Sequence, residues 1–315
     1  MSQTTSFLTL QSPSSYLPLS GRSGKLPFPL TNDYMFKTVF QSDETVLRAL
    51  LCSLLDLDPR DIRAITITNA IVPGATVHSK DTVLDIRLVL NSSRLINLEM
   101  QIRNEQNWPE RSLCYLCRDF NNLEKGAPYQ SVNPAHHIGI LNFSLPHLQK
   151  QFYSHYFMIN ETTHEIFSDK LRLSVLNLTQ TALATERDRR SGLTRWAAAF
   201  KATTWEEYQM LAAEDSIFEK VSDALYLLSE NREIAEQCLR MQEAAAAEKY
   251  RQEQIEKMNN DLAEKQKALA EKDSALVEMK AENQLLRVEM NNTLAQKEAE
   301  LAQLRAQLRK YQEQA

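Results

Sequence analysis

Two runs of alternating apolar residues, within residues 83–103, constrain the fold of this chain more than any other segment. The apolar positions are Leu84, Ile86, Leu88 and Leu90 in the first run and Ile96, Leu98, Met100 and Ile102 in the second. Successive side chains of a strand point to opposite faces, so each run predicts a strand with one buried face. The segment 91–94, Asn-Ser-Ser-Arg, predicts a tight turn between them. We therefore expect a hairpin whose two apolar rows form one layer of a core.

The other side of this hairpin is polar. It carries Asp85 and Arg87 on the first strand and Asn97, Glu99 and Gln101 on the second. With the turn centred near residues 92–93, Asp85 is expected opposite Glu99 or one residue away, and opposed residues have Cβ atoms about 5 Å apart. Two carboxylates that close repel each other unless a proton or a cation lies between them. The hairpin therefore predicts a site for a divalent cation; the alternative is a solvated strand face that happens to be polar.

An acidic residue followed on the next strand by Glu-x-Gln resembles the signature of the PD-(D/E)XK nuclease fold, in which a lysine stands where this chain has Gln101. The glutamine variant is similar to the Rpn group of recombination-promoting nucleases, also called PD-(D/E)XK family transposases. The segment 31–40, TNDYMFKTVF, resembles the opening helix motif of that family, and the matching positions are Asp33, Phe36, Lys37 and Phe40. The resemblance runs from about residue 26 to about residue 212. It implies an α/β fold with a restriction-endonuclease-like core.

The resemblance further implies a metal-dependent DNA endonuclease that hydrolyses phosphodiester bonds, with DNA as partner and Mg²⁺ or Mn²⁺ as cofactor. The expected metal ligands are Asp85, Glu99 and the backbone carbonyl of Met100, and Gln101 is expected to orient the attacking water or a phosphate oxygen. A glutamine side chain is uncharged, so Gln101 cannot act as the cation that a lysine supplies. The alternative is a cleavage-inactive relative that serves as a DNA- or protein-binding assembly factor.

Asp33 and Lys80 are candidate supporting residues. The first helix of many nucleases of this fold lends an acidic residue to the site, and Asp33 could do so here. Asp33 could instead cap the helix, a role that Asn32 could also fill. Lys80 could meet a phosphate or the charge that develops on the substrate, or it could be a solvated lysine at a strand entrance.

Residues 109–123 show helical periodicity. The apolar stripe expected to be buried contains Leu113, Leu116, Cys117, Phe120 and Leu123. Arg111, Arg118 and Lys125 lie elsewhere on this stretch and could contact a DNA backbone. Cys114 and Cys117 have the CxxC spacing, but without a second such pair we expect them to pack as small apolar residues. None of the six histidines is assigned a role.

The C-terminal part lacks helix breakers, because the last proline is Pro146 and the last glycine is Gly192. A heptad pattern begins near Ile255 and continues in steps of seven through Leu262, Leu269, Leu276, Asn283 and Met290. A second row, three residues later in the heptad, contains Met258, Met279 and Leu286. Such a pattern predicts a coiled coil, in its simplest form a parallel homodimer. The alternative is a single charged helix without a partner, which would leave its leucine stripe in water.

We therefore expect a flexible leader over 1–25, a nuclease core over 26–180, a helical segment packing on that core over 181–243, and a long helix or coiled coil over 244–315. The leader is rich in Ser, Thr, Pro and Gly and has too little apolar surface to offset the entropy of ordering. The formal net charge of -5 provides no global attraction to DNA. Four cysteines without a signal peptide or a membrane-length apolar run predict a cytoplasmic protein without a membrane span.

Overall fold

The computed structural model describes residues 16–69, 86–146 and 148–313, apart from the side chains of residues 307 and 310–313. The chain divides into two compact units, Met1–Ala244 and Ala245–Ala315. The first unit contains a six-stranded mixed sheet and helices, and the second consists of a long helix. The predicted α/β class is confirmed at this level.

The strands are β1 (Ile65–Ile67), β2 (Ile86–Leu90), β3 (Arg94–Gln101), β4 (Ala135–Leu141), β5 (Tyr153–Ile159) and β6 (Ile166–Asn177). The α-helices are α1 (Asp33–Ser42), α2 (Glu44–Leu55), α3 (Trp108–Phe120), α4 (Glu186–Arg190), α5 (Leu193–Lys201), α6 (Trp205–Glu214), α7 (Ile217–Glu230) and α8 (Arg232–Glu313). The strand order across the sheet is β1-β2-β3-β4-β6-β5.

The predicted hairpin is formed by β2 and β3, which pair antiparallel with Ile86 opposite Leu98 and Leu90 opposite Arg94. The turn between them passes through Asn91 and Ser92, which have φ angles of 52° and 61°. These left-handed conformations match the right-handed twist of hairpin strands. Strands β3, β4 and β6 then run parallel, while β1 and β5 are antiparallel edges.

The apolar face of the sheet belongs to one hydrophobic core shared with several helices. Ile86, Leu98 and Ile138 contribute from the strands, and all three are buried. Helices α1 and α5 add an aromatic cluster in which the rings of Phe40 and Trp196 have centroids 5.8 Å apart. This packing fixes α1 against the sheet and thereby places its N-terminus.

The opposite face of β3 is covered by α3, so the alternative of a solvated polar face is wrong. Asn97 and Glu99 are only 1% and 4% exposed. Ion pairs join the helix to the sheet at Arg87–Asp119 and, over 2.7 Å, at Arg111–Glu99. Charged side chains are rarely buried unless they are paired, and these pairs permit their burial.

The same contacts correct the predicted orientation of this helix. Its buried residues are Trp108, Ser112, Leu116 and Asp119. Leu113 is 51% exposed, and Cys114 and Cys117 are exposed as well. The predicted apolar stripe is therefore wrong at Leu113 and Cys117, whereas Leu116 is buried and Phe120 and Leu123 are partly buried. The inner side of α3 instead carries Trp108, which packs against Leu141 and Val175, and charged residues that pair with the sheet.

Within residues 16–25, part of the leader predicted over 1–25, Leu19 and Arg22 are buried and the other residues are exposed; residues 1–15 lie outside the described residues. Leu19 is buried, and the Arg22 side chain donates hydrogen bonds to Ser222 Oγ and Asp223 Oδ1, both at 2.8 Å. The guanidinium carbon of Arg22 lies 4.4 Å from the ring centroid of Tyr226. Arg22 thus attaches this segment to α7, and the flexibility of the leader stays a prediction.

The second unit contains the C-terminal part of α8. From Arg251 onward every described side chain is exposed, including the heptad residues Ile255, Leu262, Leu269 and Leu276. Over the ranges that the structure describes, no helix is both long and apolar enough to span a membrane. The four cysteines of the chain are free.

Candidate active site

The candidate site is centred on Glu99, whose carboxylate is enclosed between β3, β4 and α3. Three nitrogen-bearing side chains surround it. Gln101 Nε2 donates a hydrogen bond to Glu99 Oε1 at 2.8 Å, and Arg111 Nη2 lies 2.7 Å from the same oxygen. His137 Nε2 lies 3.3 Å from the other oxygen, Oε2. One strand, its parallel neighbour and the covering helix therefore each supply one group to this carboxylate.

Several polar atoms at this point have no hydrogen-bond partner among the described residues. They are Glu99 Oε2, His137 Nε2, Arg111 Nε and Asn97 Oδ1, all of them buried. The imidazole and carboxylate atoms are close to each other but are not aligned for a hydrogen bond. A buried polar group without a partner costs free energy and calls for an explanation, such as an ion. A carboxylate oxygen with spare capacity is the kind of ligand that Mg²⁺ and Mn²⁺ prefer. Among these atoms, Glu99 Oε2 is therefore a candidate ligand for a divalent cation, whereas Arg111 Nε is a hydrogen-bond donor and cannot bind one.

His137 is held in one orientation by its neighbours. Asn97 and His137 are paired residues of β3 and β4, and Asn97 Nδ2 lies 3.0 Å from His137 Nδ1. The ring centroids of Trp108 and Tyr115 lie 5.5 and 6.0 Å from that of the imidazole. With the amide donating to Nδ1, the imidazole carries its proton on Nε2, on the side of Glu99. His137 is thus fully buried and keeps its Nε2 atom next to the carboxylate of Glu99.

The structure resolves the two roles considered for Asp33. The helix cap is Asn32, whose side-chain oxygen accepts a hydrogen bond from the backbone N–H of Met35 at 3.1 Å. Asp33 is exposed to solvent at its surface, but the surrounding protein removes part of the hydration of its carboxyl group. This desolvation, and after it the negative charge of Glu99, raises the pKa of Asp33 to about 6. Arg111 and Arg103 act in the opposite direction and lower the pKa. Asn32, and not Asp33, therefore caps α1. The carboxyl group of Asp33 instead interacts electrostatically with Glu99.

Arg111 partly neutralises these carboxylates. Its Nη1 lies 3.6 Å from Glu105 Oε2, in addition to the contact between Nη2 and Glu99. Burial acts to lower the pKa of Arg111, but Glu99, Tyr115 and Glu105 outweigh this effect, so the pKa is raised. The guanidinium is therefore charged at every relevant pH. Arg111 contacts Glu99 and Glu105 while its side chain is about one-third exposed, so the predicted contact with a DNA backbone stays a prediction.

The structure brings together only part of the predicted set. Glu99 and Gln101 are in direct contact, as their spacing of two on one strand predicts. The carbonyl oxygen of Gln101 accepts a hydrogen bond from the backbone N–H of Asn142, on the β4 side of β3. Because successive carbonyl groups of a strand point to opposite sides, the Met100 carbonyl points toward β2. Asp85 and Lys80 lie outside the described residues. Asp85 immediately precedes Ile86, which pairs with Leu98, the neighbour of Glu99.

Three residues at or near the site were not assigned to it from the sequence. Arg111 and His137 contact Glu99 directly, as described above. Lys37 is 4% exposed and lies one helical turn after Asp33 on α1; the sequence showed it only as a motif match. Burial of a lysine is a signal of a specific environment, but it is visible only in the folded chain. Over the described ranges, no group of three or more His, Cys, Asp and Glu side chains has a spacing suited to a metal ion.

A comparison with protein families finds a match that spans the residues of this site. The model of a family described as PD-(D/E)XK nuclease family transposase matches residues 30–254. The matched range contains every described side chain that contacts Glu99, together with Asp33. The chain matched none of the curated proteins and none of the solved structures in the two other comparisons.

Proposed function

The chain belongs to the PD-(D/E)XK nuclease family transposases, and from this premise we propose that it is a metal-dependent DNA endonuclease of the recombination-promoting type. Its reaction is hydrolysis of a phosphodiester bond. The observation that carries the proposal is the state of Glu99: a buried carboxylate with one oxygen that lacks a hydrogen-bond partner among the described residues. Asp33 adds a second acidic group near Glu99, and Arg111 offsets part of their negative charge.

The proposed metal ligands are Asp85, Glu99 and the backbone carbonyl of Met100, and the proposed ion is Mg²⁺ or Mn²⁺. Hard cations of this kind are bound by one or two carboxylates, with carbonyl oxygens and water completing the shell. Once bound, such an ion supplies a Lewis acid that lowers the pKa of a bound water and offsets charge on the scissile phosphate. Asp33 supports the ligand set by adding negative charge.

Gln101 and His137 act through their contacts with Glu99. One amide hydrogen of Gln101 is used by Glu99 Oε1, and its second amide hydrogen and its carbonyl oxygen are suited to orient a water molecule or a phosphate oxygen. His137 restricts the position of Oε2 from the β4 side. Outer contacts of this type orient the ligands of a metal, and their loss commonly costs about 10- to 100-fold in metal affinity or activity.

Plasmid nicking tests the proposal. Wild type, Glu99→Gln and Asp85→Asn would be compared in Mg²⁺, in Mn²⁺ and in a chelator, at low salt. Since a lost ligand matters more than a lost outer contact, we expect each variant to cleave at least about 100-fold more slowly than the wild type. Glu161→Gln, the same change in an exposed turn, is the control and should cleave normally. Equal nicking by wild type and Glu99→Gln would refute the proposed site.

A second candidate function is favoured by one observation. Glu99 Oε1 is already bonded to Gln101 and Arg111, so the protein itself offsets this charge. A cleavage-inactive relative that binds DNA or a protein partner and assembles through α8 would need nothing more. Titration calorimetry with Mn²⁺ separates the two functions, because the nuclease requires binding that Glu99→Gln abolishes, whereas the assembly factor does not.

For α8 we propose a parallel homodimeric coiled coil over the heptad region. The support is the exposed stripe that contains Ile255, Leu262, Leu269 and Leu276. A second copy carries the same stripe, and knobs-into-holes packing of the two would remove it from water. An endonuclease dimerised in this way would carry two sites.

A further inference from the structure

Arg111 contacts the central carboxylate directly, as Gln101 does, but it also has two features that Gln101 lacks: a permanent charge and the planar donor fork of a guanidinium. Its Nη2 lies 2.7 Å from Glu99 Oε1, whereas its Nε is buried without a hydrogen-bond partner among the described residues. Its side chain is about one-third exposed, so it is accessible from outside the protein. The ring of Tyr115 lies between Arg111 and Arg118, with guanidinium carbons 5.5 and 5.4 Å from its centroid.

The contact with Glu99 conflicts with the proposed metal site. A divalent cation bound by Glu99 would lie about 2 Å from a carboxylate oxygen, beside a guanidinium that now touches the same carboxylate. The ion on Oε2 and Arg111 on Oε1 would share one carboxylate, so the two cations repel each other and compete for its negative charge. Metal binding therefore favours release of Arg111 from Glu99. Glu105, the other carboxylate near Arg111, lies at 3.6 Å and is a weaker partner.

We propose that Arg111 exchanges Glu99 for a backbone phosphate of DNA when a cation binds at Glu99. The inference rests on the proposed function, since it requires a metal site at this carboxylate. A phosphate matches the arginine fork in shape and charge, and it can be bound by two parallel hydrogen bonds. Arg111 would then supply the cation at the phosphate that Gln101 cannot supply, and it would couple metal binding to DNA binding.

This coupling has a measurable consequence in the full-length protein. Affinity for a fluorescein-labelled DNA duplex would be measured by anisotropy in chelator and in Ca²⁺, with gels confirming that the duplex stays intact. Coupling between two ligands is commonly 5- to 150-fold, and we expect Ca²⁺ to tighten DNA binding by at least about 5-fold. Reciprocity requires that the duplex tightens Ca²⁺ binding, measured by calorimetry, by the same factor.

Three variants distinguish a specific role of Arg111 from the general attraction between basic side chains and DNA. Arg111→Gln should lose the Ca²⁺-dependent gain, and Arg111→Lys should keep part of it because the charge remains. Arg118→Gln is the matched control, because Arg118 lies on the same helix and against the same tyrosine but does not contact Glu99. Arg118→Gln should retain the full ratio between the affinities in Ca²⁺ and in chelator.

The salt dependence provides a test without any variant. Each phosphate neutralised by the protein adds about 0.9 to the slope of log affinity against log salt. In the wild type this slope should steepen by about that amount when Ca²⁺ replaces the chelator. If Ca²⁺ and DNA both bind but the slope is unchanged, or if a folded Arg111→Gln keeps the full gain, the exchange is overturned while the metal site stands. If calorimetry detects no Ca²⁺ binding that depends on Glu99, both are overturned.

Discussion

The indole ring of Trp108 lies so close to Gly139 that a β-carbon on Gly139 would be 2.1 Å from its Cζ2 atom. Gly139 pairs with Glu99 across the parallel strands β3 and β4. The missing side chain leaves room for the first residue of α3 directly beside the central carboxylate. Since Trp108 also packs on His137, this glycine determines how closely α3 can approach the site.

Gly139→Ala should therefore destabilise the protein and disturb the site. Overpacking of a rigid core typically costs about 1–3 kcal/mol, and here the clash is with a ring that lies between a strand and a helix. Urea unfolding gives the change in free energy of unfolding. Gly21→Ala is the control, because its β-carbon would approach only the end of the Leu17 side chain, which can move. Equal losses in the two variants would contradict this account.

The hairpin at the centre of the fold could be predicted because its information is local. Alternation of apolar residues specifies which side of β2 and β3 is buried, and the turn residues fix their register. The contact between Gln101 and Glu99 follows from the same alternation, since residues two apart on a strand share a face. These features required no knowledge of the rest of the chain.

Arg111 and His137 could not be placed in the same way. His137 reaches Glu99 only through the parallel register of β3 and β4, which no turn specifies. Arg111 depends on the rotation of α3, and the leucine and cysteine positions indicated the wrong rotation. The inner face of α3 combines the buried Trp108 with ion pairs to the sheet, and a search for apolar periodicity does not detect the part of a face that is buried by charge pairing.

Arg22 should be essential for stability although it is far from Glu99 in the sequence and has no part in the proposed chemistry. Its guanidinium bonds Ser222 and Asp223 and lies against the ring of Tyr226. Arg22→Met would leave these partners without their donor, and we expect a loss of about 2–4 kcal/mol in the free energy of unfolding.

The matched control for this prediction is Arg60→Met. Arg60 also pairs with an aspartate, Asp58, but the arginine side chain of that pair is exposed. Exposed pairs contribute little, so urea unfolding of Arg60→Met should coincide with that of the wild type. If both arginine variants unfold at the same urea concentration, the packing of residues 16–25 does not stabilise the protein.

The coiled-coil proposal predicts a dimer that depends on the leucine stripe. Replacing Leu262 and Leu269 together by serine removes apolar surface from the dimer interface, and we expect the dissociation constant to rise at least about 10-fold. Sedimentation equilibrium measures it directly. The control replaces Ala263 and Ala270, one position further along each heptad, by serine. A wild type that remains monomeric at high concentration would instead indicate a solitary helix.

His136 predicts a loss of stability in acid. It is buried, Ser174 Oγ lies 2.8 Å from its Nε2, and it is close to Arg172, His155, Arg94 and His137. Burial, and after it the electrostatic effects of these four neighbours, lower the pKa of His136 to about 3, against about 6.5 in an unfolded chain. The folded state therefore prefers neutral His136. Its stabilising effect is complete above about pH 6.5 and is lost as the pH falls toward 3, by up to about 1.4 kcal/mol for each pH unit.

Urea unfolding at pH 7 and at pH 4 tests this effect. His136→Gln removes the titrating group and keeps a side chain that can bond Ser174, so the variant should lose less stability than the wild type over this range. The difference should reach at most about 3 kcal/mol, because each unit of pKa shift corresponds to about 1.4 kcal/mol. His164→Asn is the control, since His164 is exposed and its φ of 57° is one that asparagine tolerates. The free energy of unfolding of His164→Asn should depend on pH as that of the wild type does. If His136→Gln also shows the wild-type dependence, protonation of His136 does not destabilise the folded state and the prediction is wrong.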